Sequence, residues 1–134
     1  MFKKAIVFLS ICVIFFAVNS CISTDTNPYK NGKLIYKNAC ADCHGDNGEG
    51  LLDLVPPLAK SDYLAAHQAE LIQIITKGLK DTIVVNGKTY SQPMPAQLLT
   101  NVQLVNVINY INNAWGNSQT DRFLKDMPAD NKPK

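Results

Sequence analysis

The chain has 134 residues, of which 46% are apolar and 18% charged, and this composition is typical of one globular domain with extensions rather than of a disordered chain. The formal net charge of +2 includes Lys3 and Lys4, so residues 21–134 carry 11 basic and 11 acidic side chains. Nucleic-acid binding is therefore not expected, because it requires a concentrated basic surface.

The first twenty residues are typical of an export signal. Lys3 and Lys4 precede an uncharged, mostly apolar run over residues 5–18, which is shorter than the roughly 20 residues that a membrane-spanning helix needs. Val18-Asn19-Ser20-Cys21 then resembles the lipobox of bacterial lipoproteins, in which cleavage before the cysteine is coupled to its acylation. We predict a signal peptide over residues 1–20 and lipidation at Cys21; an ordinary secretory peptide and an uncleaved anchor are the alternatives.

Three parts follow in the mature chain. Residues 21–27 form the acylated cysteine and a polar tether, residues 28–116 carry the periodic sequence of a domain, and residues 117–134 form a polar tail. The larger apolar side chains of the tail are only Phe123, Leu124 and Met127. Because so little apolar surface cannot offset the entropy lost on ordering, we expect the tail to be mobile.

The first predicted helix begins at Asn27-Pro28, a capping residue followed by proline in the first turn, and runs towards Ala39. Leu34 and Ile35 mark its expected buried side. A second, short helix is expected over residues 62–65, directly after the capping residue Ser61.

A third helix is predicted over residues 68–77, with Gly78 as its stop. The fourth begins at Thr100-Asn101-Val102-Gln103, which has the pattern of a capping box, and its apolar residues recur at helical spacing up to Trp115. Between them, Asn86-Gly87 lies between β-forming residues and predicts a hairpin within residues 82–90. The expected fold class is all-α, with three to four helices and one small β-hairpin.

The motif Cys40-Ala41-Asp42-Cys43-His44 indicates a haem site. Two cysteines three positions apart can add to both vinyl groups of a haem, and the adjacent histidine then lies beneath the iron, so we predict one covalently bound haem c at Cys40 and Cys43 with His44 as an iron ligand. Cys12 leaves with the signal and Cys21 takes the lipid, which leaves no unassigned thiol in an oxidising compartment.

Three other uses of these cysteines are disfavoured. A thioredoxin-like dithiol requires a βαβ setting, which the sequence lacks. A zinc site requires four ligands, and His67 as the fourth does not have zinc-module spacing. A plain disulfide leaves His44 unexplained.

The second iron ligand is predicted to be Met94. It lies in Gln92-Pro93-Met94-Pro95, where the flanking prolines forbid regular helix and restrict the loop. A rigid loop suits a thioether held against iron better than it suits a core residue. The other candidates are His67, expected on the surface in a turn between helices, and Met127 in the tail.

Residues 28–116 together resemble the class I cytochrome c family. Gly32 and Tyr36 are similar to the family's close-contact glycine and aromatic pair in the first helix, and Tyr110 is similar to its aromatic residue in the last helix. The resemblance implies helices wrapped round the haem, with the first and last crossing near Gly32.

The resemblance also implies a proline whose carbonyl accepts the proton on the other ring nitrogen of His44, fixing the ring and raising its basicity. Pro56-Pro57-Leu58 falls at the corresponding place. Pro57 is the favoured acceptor, with Pro56 left open, and Leu58 is expected to lie against the haem face.

Histidine and methionine in both axial positions leave no open site for oxygen, so the expected function is that of a single-electron carrier of the cell envelope and not an enzyme. The alternatives are a haem subunit through which electrons enter a larger membrane-associated oxidoreductase, and a gas-binding or gas-sensing haem protein. Expected partners are redox proteins of the envelope (an oxidase, reductase or dehydrogenase) and, through Cys21, the membrane surface. The expected location is the periplasm or the outer side of the cytoplasmic membrane.

Overall fold

The structure, a computed structural model, describes residues 27–127. The predicted signal peptide, Cys21 and most of the tether lie outside these residues, as do residues 128–134. Within the described range there are five α-helices, a two-stranded hairpin and one turn of 3-10 helix, which confirms the all-α fold class with one small hairpin. In chain order they are α1 (Lys30–Ala39), α2 (Ala41–His44), α3 (Asp62–Ala66), α4 (Leu71–Lys77), β1 (Ile83–Val85), β2 (Lys88–Tyr90), α5 (Asn101–Asn113) and the 3-10 turn (Leu124–Asp126).

Helix α1 buries a different face from the one predicted. Gly32 and Tyr36 are its buried residues, whereas Leu34 is 62% exposed and Ile35 is half-buried. The prediction for Leu34 is therefore wrong. Positions four apart share a helix face, while positions two apart point in nearly opposite directions, so a face that buries Gly32 and Tyr36 turns Leu34 to solvent.

The crossing of α1 and α5 at Gly32 is confirmed. A Cβ atom on Gly32 would lie 2.1 Å from the carbonyl oxygen of Asn106 and 2.6 Å from the Cβ of Tyr110. Only glycine allows the two backbones to approach this closely. The crossing fixes the end of α1, and therefore the start of the cysteine motif, relative to α5.

Three aromatic rings pack beside this crossing. The ring centroids of Tyr36 and Tyr110 are 5.5 Å apart, and Trp115 lies 4.9 Å from Tyr36 and 5.2 Å from Tyr110. Trp115 was expected to continue α5, but the helix ends at Asn113 and Trp115 has a φ of 53°. The chain leaves the helix here, and the indole joins the two tyrosines.

Local capping signals account for the starts of two other helices. The Thr100 hydroxyl accepts a hydrogen bond from the Gln103 amide, and the Gln103 side chain accepts one from the Thr100 amide, completing the predicted capping box. Ser61 Oγ likewise accepts from the Leu64 amide at 3.0 Å. Helix α4 begins at Leu71, three residues later than predicted, because turns occupy the preceding residues.

The predicted hairpin is present between α4 and α5. Its strands are antiparallel, with Ile83 opposite Tyr90 and Val85 opposite Lys88. Asn86 and Gly87 have φ values of 50° and 78°, as a type I′ turn requires. Val85 and Tyr90 are buried on the side of the hairpin that faces the domain.

The segment after α5 does not behave as predicted. The side-chain amide of Asn109 bonds to both the N–H and the carbonyl of Arg122, and the Arg122 guanidinium donates to the Gln68 carbonyl. Met127 is only 3% exposed and belongs to the hydrophobic core. The expectation of a mobile tail is therefore corrected for residues 117–127, which fold onto α5.

The core lies between α1, α4 and α5, with α3 beside it. No helix within residues 27–127 has the length and apolar character needed to cross a membrane.

Candidate functional site

One large apolar cleft opens beside the cysteine motif. It includes about 1090 Å³ of empty space, part of it open to solvent. Every predicted haem-site residue lines it: Cys40, Cys43, His44, Pro57, Leu58 and Met94. The remaining wall is mostly aliphatic and includes Leu64, Leu71, Ile75, Leu79, Val85, Val107 and Ile111.

The two cysteines stand at the junction of α1 and α2. Cys40 ends the first helix and precedes the second, and its carbonyl accepts the His44 amide at 2.9 Å. Both thiols are free, with Cys40 half-buried and Cys43 exposed. Burial, followed by the neighbouring Cys43, raises the pKa of the Cys40 thiol to about 11. Two reduced thiols at the cleft wall are the chemical form that haem vinyl groups require.

The imidazole of His44 is held from one side only. Its Nδ1 lies 3.1 Å from the carbonyl oxygen of Pro56, and because a carbonyl only accepts, Nδ1 carries the proton. Nε2 has no hydrogen-bond partner among residues 27–127. Burial lowers the pKa of the imidazole, with the Pro56 bond acting in the opposite direction. His44 therefore presents a neutral ring nitrogen that is free to bind a metal.

The choice of Pro57 as the acceptor is wrong, and the open alternative, Pro56, is the residue that bonds to His44. Both prolines line the cleft, but consecutive carbonyls of an extended segment point in different directions. The sequence offered two carbonyls one residue apart and no signal to choose between them.

Leu58 is in the cleft wall, as predicted, and its backbone is fixed by the loop that precedes it. The Leu58 and Ala59 amides both donate to the Gly48 carbonyl, at 2.7 and 2.9 Å. A Cβ on Gly48 would lie 2.6 Å from the Trp115 ring. The indole thus covers the loop that supports this wall of the cleft.

Met94 is held by its backbone. Its N–H and carbonyl form a two-bond bridge with Leu79, at 2.8 and 3.0 Å. Gly78, predicted only as a helix stop, also makes room for this loop, because a Cβ there would lie 2.5 Å from the Met94 carbonyl oxygen. The half-buried Met94 is thereby fixed in the cleft wall.

The other two candidate ligands lie elsewhere. His67 stacks on Tyr63 with ring centroids 3.8 Å apart, and its Nδ1 lies 2.9 Å from the Tyr63 carbonyl oxygen. Met127 packs in the core. Neither residue lines the cleft.

Two supporting contacts are not predictable from the sequence. The hydroxyl of the fully buried Tyr36 donates to the Gly45 carbonyl at 2.6 Å, which ties α1 to the residue after His44. The carboxamide of Asn117 bonds to the segment that contains Leu58. The aromatic character of Tyr36 pointed to packing and not to its hydroxyl, and an asparagine in a polar tail carries no signal of its own.

Free thiols, a neutral imidazole and a methionine around one apolar cleft fit a covalently attached haem. Residues 29–115 match the family model described as Cytochrome c. The chain belongs to the cytochrome c family. Over 105 residues it is 32% identical to cytochrome c-552 of Thermus thermophilus, covering 75% of this chain and 79% of that protein.

Two further relatives differ in how much of their own length the similarity covers. Cytochrome c6 of Rippkaea orientalis is 31% identical over 109 residues, with 81% of this chain and 91% of that protein covered. The cbb3-type cytochrome c oxidase subunit CcoP of Azospirillum brasilense is 30% identical over 100 residues, which are 70% of this chain and 31% of that subunit. As a family member, this cytochrome carries haem c bound covalently at a C-x-x-C-H motif.

Proposed function

We propose that this cytochrome is a single-electron carrier of the cell envelope, with His44 and Met94 as the two axial iron ligands. The observation that carries the proposal is their common position: both line the apolar cleft that the two motif thiols enter. Among residues 27–127, the other histidine and the other methionine do not line it.

When bound, haem c supplies an iron that exchanges one electron between Fe(II) and Fe(III). The chain's own residues set how readily it does so. A thioether from Met94 favours the reduced state more than a second histidine would. Leu58, Ile75 and Val85 line the cleft and keep water from it, which favours the less charged, reduced form.

The experiment is an optical spectrum of the purified, haem-loaded protein in both oxidation states. The oxidised wild type should show the sulfur-to-iron absorption band, and Met94→Ala should lose it and lower the reduction potential. Met127→Ala is the matched control and should keep the band. A Met94→Ala spectrum identical to that of the wild type would show that the ligand is misassigned.

The same preparation separates a carrier from a gas-binding protein. With both axial positions filled, the reduced wild type should bind carbon monoxide slowly and weakly, whereas Met94→Ala should bind it readily. Rapid, tight binding by the wild type would favour the gas-binding function instead.

We further propose that a lipid on Cys21 tethers the domain to a membrane. The tethered domain would face the periplasm or lie on the outer side of the cytoplasmic membrane. Residues 22–27 span at most about 20 Å when extended, so such an anchor would confine the domain to the membrane surface. Mass spectrometry of the mature protein should find an acylated Cys21 at its N-terminus, and Cys21→Ser should release the protein from membranes. An intact Met1 or an unmodified Cys21 would rule out the anchor.

A second candidate is a subunit through which electrons enter a larger oxidoreductase. Relatives named as subunits of a cbb3-type oxidase and of a quinone alcohol dehydrogenase favour it. Purification from detergent-solubilised membranes distinguishes the two functions. A carrier should elute alone, and stable co-elution with an enzyme would make it a subunit.

A further inference from the structure

Asn117, four residues beyond α5, links three separate backbone groups through one carboxamide. Its Nδ2 donates to the Ile111 carbonyl at 2.7 Å and to the Leu58 carbonyl at 3.0 Å. Its Oδ1 accepts from the Lys60 amide at 2.7 Å. One side chain therefore fixes the segment from Leu58 to Lys60 against the end of α5.

The segment held by Asn117 is continuous with the acceptor of the His44 proton. Pro56, whose carbonyl bonds to Nδ1 of His44, is two residues before Leu58. Lys60 has a φ of 51°, a left-handed conformation that a non-glycine residue adopts only when its surroundings compensate the cost. The bond from its amide to Asn117 supplies part of that compensation.

We propose that Asn117 is a positioning residue for the haem iron: it fixes the Leu58–Lys60 segment and, through it, the Pro56 carbonyl that orients His44. The inference rests on the proposed function, in which His44 binds the iron. A firm bond from Nδ1 to a carbonyl raises the basicity of the ligand and favours the oxidised state. Without Asn117 the Pro56 carbonyl is held less firmly, so the reduction potential rises.

A merely structural role for Asn117 is separable from this one. Asn109 makes two hydrogen bonds, at 2.7 and 3.0 Å, to the backbone of Arg122 in the same C-terminal segment. Within residues 27–127, Asn109 makes no hydrogen bond to residues 56–60. Asn109→Ala therefore weakens the docking of the segment but leaves the Pro56 loop intact, and it is the matched control for Asn117→Ala.

The test compares the haem-loaded wild type, Asn117→Ala and Asn109→Ala in three measurements: thermal unfolding, reduction potential, and NMR exchange of the His44 Nδ1 proton with solvent in the reduced state. Both variants should unfold at lower temperature. Only Asn117→Ala should raise the potential. It should also speed exchange of the His44 proton by about fivefold, the change expected if the single His44–Pro56 hydrogen bond loses its ordinary net strength.

Equal changes in potential and exchange for both variants, or no change in Asn117→Ala, would overturn the proposal; so would a fall in the potential. If Asn117→Ala does not accumulate with haem, Asn117→Ser replaces it, since a hydroxyl is too short to bridge all three groups. It should give a smaller change in the same direction. If the proposed function is wrong, the wild-type protein itself lacks the sulfur-to-iron band. That failure is therefore distinguishable from a failure of the proposal for Asn117, which appears only in the comparison of the variants.

Discussion

Gly32 meets Asn106 so closely that a Cβ on the glycine would stand 2.1 Å from the asparagine's carbonyl oxygen. The obstacle is backbone of α5, which cannot turn aside as a flexible side chain could. Because α1 continues directly into the cysteine motif, this contact links the packing of two helices to the position of the haem-binding residues.

Gly32→Ala should therefore destabilise the protein, although alanine is the better helix former. Overpacking costs about 1–3 kcal/mol and exceeds the gain in helix propensity, about 0.5–1 kcal/mol. We expect a net loss of about 1–2 kcal/mol in denaturant unfolding. Asn31→Ala, on the exposed side of α1, should change stability by less than about 0.5 kcal/mol. Equal effects in the two variants would contradict the close crossing.

Tyr36→Phe tests the bond between the Tyr36 hydroxyl and the Gly45 carbonyl. It should cost about 1–2 kcal/mol, because the carbonyl loses its donor in a part-buried site. Tyr110→Phe is the control, since no hydrogen bond joins the Tyr110 hydroxyl to the described residues. A cost for Tyr110→Phe as large as that for Tyr36→Phe would assign the effect to ring packing alone.

The same bond gives a pH dependence. Burial raises the pKa of Tyr36 above its ordinary value of 10.0, so the folded hydroxyl keeps its proton after the unfolded one has lost it. The stabilisation is complete below about pH 10 and is lost as the pH rises further. Denaturant unfolding should be measured from about pH 8 to about pH 11, a range that includes the ordinary tyrosine pKa. The free energy of unfolding should fall less steeply with pH for Tyr36→Phe than for the wild type. Parallel curves would contradict this.

Features that depend on local chemistry were predictable from the sequence. The capping box at Thr100, the Asn86-Gly87 turn and the cysteine motif are each specified by residues a few positions apart. The crossing at Gly32 was also correctly predicted, but from family resemblance. The prediction that Leu34 is buried failed because the apolar character of one residue does not show which face of its helix packs against the rest of the protein.

The docking of residues 117–127 could not be predicted from apolar content. Polar groups attach this segment: Asn113 donates to the Asp121 carboxylate at 2.8 Å, and Asp121 accepts from the Tyr29 hydroxyl. Amide side chains form such bonds only once the tertiary fold brings their partners near. The choice between Pro56 and Pro57 likewise depended on the path of the folded loop.

Gln68 and Asn112 form a reciprocal pair of side-chain hydrogen bonds, at 2.8 and 3.0 Å, and Asn112 is fully buried. In a double-mutant cycle, Gln68→Ala and Asn112→Ala should show a coupling energy of about 0.5–3 kcal/mol. A second cycle with Asn106→Ala in place of Gln68→Ala should be additive, because Asn106 bonds within its own helix to Val102. Additive effects in the first cycle would show that the pair contributes nothing jointly.

The side chain of Met127 is only 3% exposed, although Met127 belongs to the segment that is predicted from the sequence to be mobile. Met127→Ala should lower the free energy of unfolding by about 2–3 kcal/mol, the cost of removing a buried methionine side chain and leaving a cavity. Leu124→Ala removes a comparable apolar side chain from the same segment, but Leu124 is 47% exposed, so its loss should stay within about 1 kcal/mol. Denaturant unfolding of the haem-loaded proteins measures both changes in free energy.

Since amides and one buried thioether together dock this segment, Met127→Ala should also speed proteolysis within residues 117–127 more than Leu124→Ala does. Indistinguishable stability and cleavage in the two variants would mean that the segment is not docked, and the expectation drawn from its composition would stand.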